Sequence, residues 1–113
     1  MKINHVTLLV KDRRESERFY TEVLGFEKKE SNDYLWIKIG DQYLHITENS
    51  GEPVPGTFYH FAVEIDDLPL YLEKLKEKGV EVFDFSEDKL QNFIRDIDGN
   101  LIEFIDASNN FFK

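Results

Sequence analysis

The chain carries three histidines, His5, His45 and His60, and no cysteine. Thiolate metal sites, disulfides and cysteine nucleophiles are therefore excluded, and a bound metal would rest on imidazole and carboxylate donors. The histidines are not scattered. His5 and His60 open two similar segments, NHVTLLV and YHFAVEI, and stand 55 residues apart. His45 lies in QYLHIT, and 58 residues later the corresponding place in LIEFID holds Glu103. Imidazole plus carboxylate suits Zn, Ni, Co, Fe or Mn, and two histidines with one carboxylate and open positions form a catalytic metal set. A single histidine on a strand is more often a hydrogen-bonded structural residue. Four such residues at two matched pairs of positions favour ligation instead. One divalent metal ion is expected on His5, His45, His60 and Glu103, with a coordination position left for water or substrate.

The elements that must position these residues follow from pattern. Residues 3–10 alternate as a strand, with His5, Thr7 and Leu9 on one face and Val6, Leu8 and Val10 on the other. Asp12 is placed as a helix N-cap with Glu15 three residues on. Phe19, Tyr20, Val23 and Leu24 recur at helical spacing before Gly25. Strands are expected at 26–30, 34–39 and 42–47, the last two joined at Gly40-Asp41. Residues 48–57 hold two of the three prolines and two of the six glycines, and read as a loop. The pattern then restarts. A strand at 59–65 leads to a helix begun by Asp66-Asp67, with Pro69 in its first turn, a Leu68/Leu72/Leu75 stripe, and Gly79 as its end. Strands at 80–83, 90–95 and 101–105 follow, with a hairpin at Asp98-Gly99.

The spacing predicts an internal βαβββ repeat. Repeat one covers 1–49, a linker 50–57, repeat two 58–106 and a tail 107–113, all in a single domain. The expected fold class is α+β: a cup-like, mostly antiparallel sheet with helices outside. Metal ligands would project into the cup. The other residues on the same faces, Thr7, Tyr34, Trp36, Tyr43, Thr47, Gln91 and Phe93, are expected to line it, and Arg95 is placed to meet an anionic substrate. Trp36 and Tyr43 serve equally well as core or dimer-interface aromatics.

Composition narrows the function classes. At 113 residues, 41% hydrophobic and 14% aromatic, the chain can bury one core. A net charge of −9 argues against a nucleic-acid partner. No apolar run is long enough to cross a bilayer. Met1-Lys2-Ile3-Asn4 leads into the first strand without a signal peptide, so a cytoplasmic location is expected.

Five segments, NHVTLLV (4–10), FYTEVLGF (19–26), YLHIT (43–47), YHFAVEI (59–65) and RDIDGNLIEFID (95–106), carry a resemblance that spans almost the whole chain. Through them the chain resembles the vicinal-oxygen-chelate superfamily, which includes glyoxalase I, fosfomycin-resistance thiol transferases, extradiol dioxygenases, methylmalonyl-CoA epimerase and bleomycin-binding proteins. The resemblance implies that His5 and His60 are the first-strand ligands and Glu103 the carboxylate ligand. His45 falls where glyoxalase I carries a glutamate that is both ligand and base, which leaves Glu103 as the carboxylate available to move a proton. SEDKLQNF, at 86–93, lacks the glycine and most of the serines of the fosfomycin enzymes' loop. The resemblance further implies a homodimer and a glyoxalase-like lyase or isomerase, the metal chelating two adjacent oxygens of a small substrate. A metal-dependent dioxygenase, a thiol transferase and a non-catalytic antibiotic-binding protein are the alternatives.

Overall fold

The computed structural model describes residues 1–31, 34–48, 58–85 and 91–108, with the backbone alone at 30 and 31. It divides into two compact units: Met1–Pro55 with Ile97–Asn100, and Gly56–Asp96 with Leu101–Lys113. The architecture is α+β, with one mixed sheet in each unit. The expected linker at 50–57, Leu90 and most of the tail lie outside the described residues.

The first unit holds a four-stranded sheet in the order β1-β4-β3-β2, built from β1 (His5–Val10), β2 (Glu27–Ser31), β3 (Tyr34–Ile39) and β4 (Gln42–Glu48). The β1–β4 pairing is parallel and the other two are antiparallel. Alternation splits the sheet cleanly. Leu8, Val10, Leu35, Ile37, Leu44 and Ile46 are all buried on one face. The other face carries His5, Thr7, Trp36, Tyr43, His45 and Thr47.

Helix α1 (Arg13–Arg18) starts where the sequence places it. Asp12 Oδ1 accepts the amides of Arg14 at 2.9 Å and Glu15 at 3.1 Å. The capping box is half formed, because the Glu15 carboxylate pairs with Arg18 at 3.4 Å instead of reaching back. The next turn, Phe19–Val23, is a π-helix. Leu24 N–H reaches back five residues to the Phe19 carbonyl, and Phe26 N–H reaches Tyr20, each at 2.9 Å. Within this widened turn Phe19 and Tyr20 are both buried, their rings edge to face at 5.5 Å.

The second unit holds β5 (His60–Ile65), β6 (Phe93–Arg95) and β7 (Leu101–Asp106), in the order β5-β7-β6 with β5–β7 parallel. Helix α2 (Leu68–Glu77) buries Leu68 and Leu75, while Leu72 is only half-buried. Tyr71 lies edge to face on Phe104 at 5.2 Å, and burial pushes its phenol well above the ordinary range. Gly79, at φ +84°, ends the helix: its amide donates to Lys76 and that of Val80 to Leu75, both at 3.0 Å.

Residues 80–83, expected as a strand, contribute a single bridge, Phe83 to Phe93. The two amides exchange bonds of 2.9 and 2.8 Å, and there the ladder stops. The next amide, Gln91 N–H, is taken by the Asp84 carboxylate at 2.9 Å rather than by a strand carbonyl. Among the described residues, the second repeat thus has one paired strand fewer than the first.

The turn between β6 and β7 groups with the first unit. Asp98 Oδ1 accepts the Lys11 amide at 3.0 Å, and its Oδ2 accepts the hydroxyl of fully buried Ser16 at 3.4 Å. Asn100 Nδ2 donates to the Leu9 carbonyl at 3.2 Å. The D-G turn therefore also fastens the junction between β1 and α1.

Candidate functional site

Register explains why the four candidate ligands fall into two pairs. In the first sheet His5 lies opposite Tyr43, so His45 is its diagonal neighbour two residues on. In the second, His60 lies opposite Leu101 and Glu103 is its diagonal neighbour. Both diagonals cross a parallel pair formed by the first and last strands of a repeat.

The second diagonal is closed. His60 Nε2 is 3.3 Å from Glu103 Oε1, with the two side chains 23% and 13% exposed. His60 Nδ1 is 2.9 Å from the Phe58 carbonyl, which can only accept, so Nδ1 carries the proton and donates it. In the neutral ring Nε2 is then an acceptor facing an acceptor. That contact is satisfied by a proton on Nε2 or by a cation held between them. Two donors about 2.1 Å from one ion, at a tetrahedral angle, lie about 3.4 Å apart, so the spacing fits a shared divalent ion. Phe93 is fully buried and packs edge to face on His60 at 5.1 Å. It supports the imidazole rather than lining an opening. Phe58, 5.0 Å from His60, and Phe85, 5.1 Å from Phe58, extend this apolar collar.

The first diagonal is more open. His5 Nδ1 donates to Asn4 Oδ1 at 2.9 Å, which leaves Nε2 as the acceptor, as in His60. The rings of His5 and His45 are 6.2 Å apart and nearly perpendicular. His45 lies flat on Trp36, with ring centroids at 4.5 Å and 19° between planes. Tyr34 meets it edge-on at 5.5 Å, and the Thr47 hydroxyl lies 3.4 Å from its Nε2. Among the described residues, no three histidine or acidic side chains gather into one group.

The remaining expected site residues divide by position. Thr7 lies opposite His45 on β1, and Trp36 lies opposite it on β3, so Thr7, His45 and Trp36 form one row across the sheet. Tyr43 meets Trp36 edge-on at 6.3 Å. Gln91 is half-buried, its amide tied to Asp84. Arg95 is half-buried, its guanidinium 5.6 Å above the Phe83 ring.

Two residues were missed by sequence reasoning. Asn4 and Lys29 join Trp36 and Tyr43 around a cleft of about 220 Å³ on the face that carries His5 and His45. Lys29 lies opposite Trp36 on β2, with its ammonium 5.7 Å from the Tyr43 ring centroid. Strand alternation puts Lys29 on a defined face of β2, but the β2–β3 register that brings it to Trp36 is fixed only in the fold.

Comparison with known proteins agrees with this architecture. The chain is similar to a Bacillus anthracis protein assigned to the glyoxalase family: 25% identity over 92% of this chain and 93% of that one, with a TM-score of 0.80. It shares its fold with the fosfomycin resistance protein FosX of Listeria monocytogenes, at 23% identity, 91% and 89% coverage and a TM-score of 0.76. FosX of Mesorhizobium loti gives 21%, 91% and 89%, and 0.72. The sequence profile of the Glyoxalase/Bleomycin resistance protein/Dioxygenase superfamily matches residues 2–104. The two repeats, their paired diagonals and this match over nearly the full length place the chain in that superfamily, to which it belongs.

Proposed function

We propose that the protein is a metal-dependent enzyme of the glyoxalase type. One divalent ion would be held by His60 and Glu103 with His5, and with His45 as a fourth donor, in a homodimer. The observation that carries this reading is the His60–Glu103 contact at 3.3 Å, where the Phe58 carbonyl holds the Nδ1 proton and turns the Nε2 lone pair onto a carboxylate. His5 supports it through the same device, with Asn4 as the acceptor.

Such an ion supplies a Lewis acid that a small substrate binds through two adjacent oxygens. The chain's own groups do the rest. Glu103 is the carboxylate that moves a proton to or from the substrate carbon. Phe58 and Phe85 form the apolar wall beside His60, and Phe93 backs the imidazole from within the core. Trp36 and Tyr43 orient the part of the substrate that does not react.

Metal analysis tests the reading. Reconstituted protein should hold one ion per chain, and His60→Ala should lose it. Turnover on methylglyoxal hemithioacetal, a catechol or fosfomycin should stop with a chelator and return with the ion. Sub-stoichiometric metal that His60→Ala leaves unchanged would overturn the proposal in favour of a non-catalytic binding protein.

A further inference from the structure

The cleft beside His5 has a chemistry of its own. Among the described residues its walls are an indole, a phenol, an ammonium and a carboxamide, from Trp36, Tyr43, Lys29 and Asn4. Trp36 and Tyr43 stand nearly perpendicular, at 86°, so a flat ring entering the cleft stacks on one and meets the other edge-on. One face of Trp36 is already covered by His45, which fixes the indole plane. Asn4 Oδ1 is engaged by His5, so the amide nitrogen of Asn4 is the group left to donate. The Lys29 ammonium lies over the Tyr43 ring at a cation–π distance. No ion pair of Lys29 is found among the described residues, and Glu27, on the same face, lies opposite Lys38.

Size limits the occupant. A cavity of about 150 Å³ admits a benzene ring, and drug-sized ligands need about 300 Å³ or more. At about 220 Å³ this cleft takes one substituted ring. We propose that it is the binding subsite for a single-ring aromatic carboxylate, the ring held by Trp36 and Tyr43 and the carboxylate by Lys29 and the Asn4 amide. In a chain of net charge −9, the Lys29 ammonium supplies the local attraction for that anion. As a statement of substrate class the proposal rests on the function proposed above; as a binding site it does not need the metal.

Trp36 is the chain's single tryptophan, so its emission reports on this cleft directly. The test titrates the full-length protein, as purified and again with EDTA, with benzoate, benzamide and acetate. Benzoate should change Trp36 emission saturably and bind at least tenfold more tightly than either comparator, with and without EDTA. Lys29→Gln should remove the preference for benzoate over benzamide while keeping the folded circular dichroism spectrum. His60→Ala should leave benzoate binding intact. Absence of a saturable response, equal binding of benzamide, loss of binding in EDTA, or an unaltered preference in Lys29→Gln would each overturn the proposal. A protein that binds no metal yet binds benzoate would reject the enzyme reading and keep the subsite.

Discussion

A histidine's fitness as a metal donor is decided by what its other nitrogen touches. His60 gives Nδ1–H to a backbone carbonyl and His5 gives it to a side-chain carbonyl, so both keep Nε2 as the ring's acceptor. The backbone acceptor, on Phe58 just ahead of β5, is independent of side-chain identity, whereas Asn4 can be changed. Asn4→Ala should free the His5 ring and weaken metal binding by roughly 10-fold, the lower end of what outer partners of a ligand contribute. Competition against a chromophoric chelator would read this out, and an unchanged affinity would remove His5 from the set. His45 differs in kind, because its ring is stacked on Trp36. His45→Gln should weaken metal binding less than His60→Gln, and the same titration compares them.

At the scale of elements, the Asp98 turn gives the sharpest expectation. Asp98→Ala leaves the buried Ser16 hydroxyl and the Lys11 amide without their acceptor, which should cost about 1–3 kcal/mol in denaturant unfolding. In a Ser16→Ala background the same change should cost less, because a buried donor no longer remains. Gly79→Ala should cost about 1 kcal/mol, since φ +84° is a left-handed conformation. Much of this level was legible in the residues. Asp12, Gly25, Gly79, the Gly40-Asp41 turn and the strand alternation around His5, His45 and His60 mark their own positions, because caps and periods are local. The π turn at Phe19–Val23 was not legible, since α and π spacing diverge by a fraction of a residue over one turn. Nor was the reduction of residues 80–83 to one bridge, because alternation marks a strand but not how far a neighbour pairs with it. Lys29 escaped for a related reason: face follows from alternation, but neighbours follow from register. Phe93 was assigned to the right face, but not to a buried position.

At the scale of the whole molecule, metal and fold should be coupled. Neither diagonal pair is complete as a coordination set, so the proposed ion would bind the folded protein and not the unfolded chain. Free ion at about 100 times its dissociation constant should add about 2.7 kcal/mol. That corresponds to a melting temperature higher by roughly 10–20 °C. EDTA should reverse the shift in wild type and leave His60→Ala unmoved, in differential scanning calorimetry. Sedimentation equilibrium should return twice the chain's 13.4 kDa if the proposed homodimer forms, and 13.4 kDa would reject it. Among the described residues no helix is long and apolar enough to cross a membrane.

The fastening of the Asp98 turn to the β1–α1 junction also sets a timetable. Lys11 waits 87 residues for its acceptor, and the Leu9 carbonyl 91 for its donor. A nascent chain that has just completed the first repeat therefore still lacks the Asp98 acceptor of its Ser16 hydroxyl, and co-translational folding of that half ends only when nearly the whole chain has emerged. A gene cut between the repeats would encode two fragments, the first of them lacking four of its own residues. The two repeats match in pattern, but they are not interchangeable parts, and the first is completed by four residues of the second.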